Sequence, residues 1–310
     1  MLELVNISKK FKQNYAVRNL NMFIERGEIV GLLGPNGAGK STAISIMSSL
    51  VEPTQGDIYF NNHRILKKPK PLRKITGIVP QEIALYIDLT AEENLQFFGR
   101  IYQLKGAKLK ERVNDVLQII GLTDRRKEVV KKFSGGMKRR LNIGVALLHE
   151  PELIIMDEPT VGIDAQSRNY ILETVKRLNK EKNVTVLYTS HYMEEVEYLC
   201  DRIYIMDKGN LIASGTKEEI RRILSGEKTI VIKANRLTEL FINELKTHPL
   251  INSINVEEKQ ITIMVAKEVN MFADLIKLAE KASLELSSVN IKTPTLEDVF
   301  LHLTGRALRD

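Results

Sequence analysis

Nine consecutive residues, Gly34, Pro35, Asn36, Gly37, Ala38, Gly39, Lys40, Ser41 and Thr42, have the make-up of a phosphate cradle. Gly34, Gly39, Lys40 and Ser41 fit the spacing G-x-x-x-x-G-K-[ST]. Glycines let backbone N–H groups turn inward on phosphate oxygens, and the helix start behind them adds partial positive charge. Lys40 is then placed to contact the β and γ phosphates of a nucleotide, with the Ser41 hydroxyl completing the shell of a Mg²⁺ ion. The alternative is a glycine-rich turn between strand and helix that holds no ligand.

A second constellation lies at Leu153–Pro159, reading LIIMDEP. Four consecutive apolar residues fit a parallel strand covered on both faces. Asp157 then emerges at the carboxyl end of that strand, where open α/β sheets bind ligands. An acid there can orient Mg²⁺ through water. Glu158 is placed to polarise an attacking water, as phosphoryl transfer to water requires. Either acid alone could be a helix cap before Pro159; the pair after a buried strand points to chemistry.

These groups need elements to hold them. The apolar run Ile29–Leu33 predicts a buried strand before the glycine loop, and Thr42–Leu50 the start of a helix after it. Val184–Thr189 predicts another strand, with Ser190 and His191 at its carboxyl end. Thr90 predicts a cap for a helix over Ala91–Leu104, with Glu92 and Glu93 at its positive end. Lys108–Ile120 repeats apolar residues at helical spacing and stops at Gly121. Ser134 can cap a helix over Met137–His149, leaving the N–H groups of Gly135 and Gly136 free at its positive end.

With these segments in order, the chain resembles the ATP-binding subunits of ABC transporters over roughly residues 1–225. FSGGMKRR at Phe133–Arg140 stands where that family has its signature, upstream of the Asp-Glu strand. The resemblance implies that Ser134, Gly135 and Gly136 contact the γ-phosphate of ATP held by a second subunit, so the working form is a pair. It also implies roles for residues that are faint by themselves. Tyr15 resembles the aromatic that stacks on adenine, although alone it reads as a half-buried strand tyrosine. Gln81, in VPQE, resembles the glutamine that senses Mg²⁺ and couples to the membrane partner. His191 resembles the histidine that contacts the γ-phosphate and supports the geometry of water and Glu158. Asp164, in VGID, resembles the aspartate that communicates between the two sites. His63, His149, His248 and His302 carry no such assignment. Phe133, Met137 and the VGID loop depart from the commoner pattern; Met137 supplies no amide side chain, so that contact rests on Ser134 and backbone N–H groups.

Composition sets the frame. A chain of 310 residues holds a large core and two domains. Cys200 is the single cysteine, which excludes an internal disulfide or a cysteine-based zinc site and fits a reducing compartment. Met1 is followed at once by a short strand pattern with Glu3, which predicts no signal peptide. No apolar run reaches the roughly 18 residues needed to span a bilayer, so transport requires permease subunits on other polypeptides. The net charge of +7 resides in the first part, since 12 acidic and 11 basic residues follow from Glu227 onward. Basic clusters such as Lys67–Lys74 and Lys105–Arg112 lack interleaved aromatics, and no nucleic-acid partner is expected.

After about residue 225 the pattern becomes β-α-β-β-α-β. The expected strands are Lys228–Ala234, Ile251–Glu257, Gln260–Val265 and Leu286–Lys292. The expected helices are Thr238–Thr247 and Asn270–Ala282, with a turn at Glu258–Lys259 and a last helix capped by Thr295. This tail resembles the C-terminal accessory domain of daunorubicin-resistance-type exporters, with a dimer-stabilising or regulatory role. The expected fold is thus an α/β P-loop NTPase domain of the ABC ATPase kind (1–225), with an inserted helical subdomain (about 82–150). A small α+β, ferredoxin-like domain follows (226–310). The function implied is ATP hydrolysis coupled to export of amphiphilic antibiotics or lipid-like compounds, as in linearmycin-type resistance, with ATP and Mg²⁺ bound. The partners implied are a second ATPase subunit, making a homodimer, and separate permeases at the cytoplasmic face of the membrane. Near Gln81–Leu89 a coupling helix of the permease is expected to dock. A soluble ABC ATPase acting on ribosomes or DNA, and an importer ATPase, are the competing functions. The first usually carries two cassettes or long heptad arms, and the second often a barrel-like tail.

Overall fold

Short runs of aliphatic residues dictate the central layer. In the computed structural model, which describes residues 1–223, 226–258, 260–292 and 295–304, the runs IVGLL, LIIM and TVLYT are strands buried along their whole length. The chain divides into two compact units, Met1–Thr216 and a second that begins at Lys217.

The first unit opens with β1 (Leu2–Phe11), β2 (Asn14–Ile24), β3 (Ile29–Leu33), α1 (Lys40–Met47), β4 (Gln55–Phe60) and β5 (His63–Arg64). It continues through α2 (Lys70–Ile75), β6 (Thr76–Val79), α3 (Ala91–Ile101), α4 (Gly106–Ile119), α5 (Gly135–Leu147) and β7 (Leu153–Met156). It closes with α6 (Ala165–Lys182), β8 (Thr185–Thr189), α7 (Met193–Leu199), β9 (Arg202–Asp207) and β10 (Asn210–Thr216). Among the described residues, an antiparallel sheet has the order β2-β1-β4-β5, and a six-stranded sheet the order β10-β9-β3-β8-β7-β6. The strands from β9 to β6 in that larger sheet run parallel, and only β10 at its edge is antiparallel. The carboxyl ends of β3, β6, β7 and β8 therefore share one edge, and the chain leaves them at Gly34, Pro80, Asp157 and Ser190.

Three helices between β6 and β7 form the inserted segment. Thr90 caps α3 by accepting from the Glu93 N–H, while the Glu93 carboxylate accepts from the Thr90 N–H, a reciprocal pair that satisfies two end donors. The helix ends at Ile101 rather than Leu104 because Gln103 takes a left-handed conformation, φ 65°. Helix α5 starts at Gly135 rather than Met137. Its cap, Ser134, accepts from the Met137 N–H, so both glycines belong to the first turn.

The second unit comprises α8 (Lys217–Arg222), β11 (Glu227–Ala234), α9 (Glu239–Thr247), β12 (Ile251–Val256) and β13 (Gln260–Ala266). It continues with α10 (Phe272–Lys281), β14 (Leu286–Lys292) and α11 (Leu296–Thr304). Its antiparallel sheet has the order β12-β13-β11-β14, which is the split βαβ arrangement. Alternate residues Ile230, Ile232, Ile261, Ile263 and Val265 form its core with Phe241 and Leu245 of α9 and Leu275 of α10. Helix α8 falls in this unit and packs on α11. Leu296, Val299 and Phe300 of α11 are buried, as one apolar helical face requires. The proposed turn residue Lys259, the boundary residue Ser225 and residues 305–310 lie outside the described residues.

Candidate functional site

Backbone geometry makes the cradle. Gly39 has φ +104°, and a Cβ there would lie 2.4 Å from the Ala16 carbonyl, so neither the conformation nor the space admits a side chain. It caps α1, which begins at Lys40 and aims its free N–H groups into the loop. The loop from Pro35 to Thr42 lines a cavity of about 220 Å³ with Ala16, Gln81 and Glu158. Lys40 is buried, and its ammonium donates to the Gly34 carbonyl at 2.7 Å and the Pro35 carbonyl at 3.3 Å. Gly34 closes the loop at its β3 end.

The acids converge on the same place. Glu158 Oε1 lies 3.5 Å from Lys40 Nζ. Its other oxygen, Oε2, lies 3.4 Å from His191 Nδ1 and accepts from the Gln81 amide at 3.4 Å. The side chain is buried and its backbone is left-handed, φ 47°, a conformation that costs a non-glycine residue of order 1–3 kcal/mol and recurs at functional sites. Thr189, the last residue of β8, holds that turn: its hydroxyl accepts from the Glu158 N–H at 2.9 Å and donates to Asp157 Oδ1 at 2.9 Å. Burial pushes the Asp157 carboxyl above its ordinary range and the charge of Glu158 adds to this. Thr189, Lys40 and Ser41 oppose it.

Ser134, Gly135, Gly136 and Asp164 form a separate group, and none of them lines the cavity of their own chain. Asp164 caps α6, accepting from the Ser167 N–H at 2.8 Å and the Ser167 hydroxyl at 2.7 Å. A Cβ at Gly136 would sit 1.9 Å from Ser167 Oγ, so glycine is what lets the first turn of α5 lie against the Asp164 loop. Tyr15 is half-exposed on β2, flanked by Arg18 at 4.8 Å and Lys10 at 5.4 Å from the ring centre. Its neighbour Ala16, rather than Tyr15, lines the cavity.

Two functional contacts escape sequence reasoning. Thr189 is one; only its place at a strand end beside the Asp-Glu strand could have singled it out. Arg139 is the other. From α5 it donates to the Pro80 carbonyl at 2.8 Å and the Gln81 carbonyl at 2.7 Å, tying the signature helix to the loop that carries Gln81. Burial lowers its pKa, and the guanidinium is held by these carbonyls.

Comparison with known proteins places this geometry. Residues 17–161 match the ABC transporter family, and residues 215–304 match the C-terminal domain of DrrA1-3-like ATP-binding proteins. The linearmycin resistance ATP-binding protein LnrL of Bacillus subtilis (strain 168) is 48% identical, with 100% of both chains covered. This chain belongs to the ATP-binding subunits of ABC transporters. The daunorubicin resistance ATP-binding protein DrrA3 of Streptomyces coeruleorubidus is 32% identical over 96% of this chain and 93% of its own. A dimeric ATP-binding cassette solved in a post-hydrolysis state with ADP and phosphate aligns with TM-score 0.64 and 28% identity, covering 70% of this chain and 98% of that one. The ABC subunit described here thus has the ABC ATPase fold followed by a DrrA-like C-terminal domain, and hydrolyses ATP as the energy-coupling component of an exporter. No helix among the described residues is long and apolar enough to cross a membrane.

Proposed function

We propose that two copies of this ABC subunit close on two ATP molecules, each cradle facing Ser134, Gly135 and Gly136 of the other copy. The observation that carries this reading is the convergence of Lys40, Gln81 and His191 on the buried carboxylate of Glu158. Among the described residues of one chain the cradle meets a base but no second phosphate-binding helix end, and α5 offers such an end elsewhere. Glu158 accepts a proton from the attacking water, while His191 holds the carboxylate in place and contacts the γ-phosphate. Lys40 turns its ammonium from the loop carbonyls to the β and γ phosphates. Tyr15 offers its ring to adenine, and Asp164 reports closure to the other site.

A Mg²⁺ ion fits the donors present. Ser41, Asp157 and Gln81 offer hard oxygen ligands, and a cation beside Asp157 would offset the cost that burial puts on its charged form. The ion would neutralise charge on the β and γ oxygens.

The cargo proposed is an amphiphilic antibiotic or lipid-like compound, and the permeases are separate chains that bring this subunit to the cytoplasmic face of the membrane. The names of the relatives support this, two being linearmycin and daunorubicin resistance proteins. A domain of 226–310 acting in dimer stability or regulation completes the scheme. Purification of the tagged full chain from detergent-solubilised membranes tests it. Co-elution of polytopic membrane proteins is expected, and loss of the gene should sensitise cells to such compounds. Salt-sensitive recovery of ribosomes or DNA in their place would overturn the reading.

A further inference from the structure

Glu195, the third residue of α7, is buried, and no role has been assigned to it above. A buried carboxylate is costly unless it is hydrogen-bonded or paired with an opposite charge. One oxygen, Oε2, accepts three hydroxyls at 2.8 Å each, from Thr160, Tyr188 and Ser190. Thr160 follows Glu158 by two positions, in the loop that ends at Asp164. Ser190 immediately precedes His191 and also accepts from the Tyr192 N–H at 2.9 Å. The other oxygen, Oε1, lies 3.5 Å from Arg168 Nε on α6, and neither atom completes a hydrogen bond. Arg168 in turn lies over the Tyr192 ring, 4.6 Å from its centre. The Tyr188 phenol is pushed well above its ordinary range, by burial first and by the charge of Glu195 second, so it remains a neutral donor.

One carboxylate oxygen therefore joins the segment after Glu158 to the segment before His191. The distance of 3.4 Å between those two side chains depends on how the segments are held. We propose that Glu195 is a positioning residue for hydrolysis. Its hydroxyl cluster, which ties Thr160 after Glu158 to Ser190 before His191, sets the Glu158–His191 geometry. This rests on the reading of Glu158 and His191 as the hydrolytic pair.

The test compares Thr160→Val, Thr160→Ser, Ser190→Ala and Glu195→Gln in the full chain, with Glu158→Gln alongside. Thr160→Val keeps the shape of the side chain and removes one donor. It is expected to lower kcat by about three- to tenfold with KM for ATP unchanged, the split that marks a loss felt at the transition state. Thr160→Ser restores the hydroxyl and should restore kcat. Glu195→Gln should lower kcat by about tenfold or more. Combined with Thr160→Val it should lose little further, because the two changes break one network. Thr160→Val and Ser190→Ala at the parental kcat, or losses that simply multiply in the combined variant, would overturn the proposal. Should Glu158→Gln itself keep hydrolysing ATP, the fault lies in the underlying reading and not in the hydroxyl cluster.

Discussion

Glu158→Gln is expected to keep its ATP and lose its turnover. The amide preserves the shape that Lys40, Gln81 and His191 surround, so the cradle still binds nucleotide. It cannot take a proton from water, and a positioned general base contributes roughly 10²–10⁴-fold to such a step. ATP favours the closed pair over the open one, and a variant that cannot convert ATP to ADP removes the exit from that state. Sedimentation in saturating ATP should therefore show a dimer that the parent populates only in passing. A variant that hydrolyses at the parental rate rules out Glu158 as the base, and one that stays monomeric in saturating ATP rules out the sandwich of two copies.

Lys40→Met carries the second large effect, and it falls on binding. Methionine matches the lysine stem as far as Cε and lacks the ammonium and its charge. In the free protein that ammonium satisfies the Gly34 and Pro35 carbonyls and faces Glu158. With ATP bound, its partners are phosphate oxygens, and hydrogen bonds to charged groups contribute about 1.5–3 kcal/mol each. Losing them should raise Kd for ATP by roughly a hundredfold, about 3 kcal/mol. Calorimetric titration measures this, and circular dichroism should show the fold intact. An unchanged Kd would mean that the loop holds phosphate through its N–H groups alone.

The cradle was legible because strand, glycines, lysine and serine are contiguous, and Asp157 and Glu158 because they directly follow a fully buried strand. The second unit was legible for a similar reason. Core isoleucines and valine recur at every second position, Ile230 and Ile232 in β11 and Ile261, Ile263 and Val265 in β13, and Thr295 with Asp298 marks the start of α11 by reciprocal hydrogen bonds. The first antiparallel sheet left a weaker trace. Its β1–β2 pairing slips register repeatedly, and Asn6 and Asn19 take left-handed conformations, so the two-residue period breaks. Contacts that depend on folding left none. Thr189 meets Glu158 across 31 positions, Arg139 meets Gln81 across 58, and Thr160 meets Glu195 across 35. In each case the residue type is ordinary, and only the folded chain brings the partners together: the ends of β7 and β8 for Thr189 and Thr160, and the packing of α5 beside the end of β6 for Arg139. The need for glycine at 136 is of the same kind, since the crowding atom belongs to Ser167 on another helix.

The position of Ser134–Gly136 outside the cavity of its own chain bears on the central claim, that the nucleotide site is completed by a neighbour. Mixing two defective chains tests this most directly. In a Glu158→Gln background, one chain carries Lys40→Met and keeps Ser134, while the other carries Ser134→Arg and keeps Lys40. Ser134→Arg removes a helix cap, at a cost of about 1 kcal/mol, which the fold should tolerate. Neither chain alone should dimerise in ATP. Together they assemble one intact site, from the cradle of the second chain and the helix end of the first. Sedimentation of the mixture should then show an ATP-dependent heterodimer. A mixture that stays monomeric, or a Ser134→Arg chain that dimerises by itself as readily as its parent, would contradict the account.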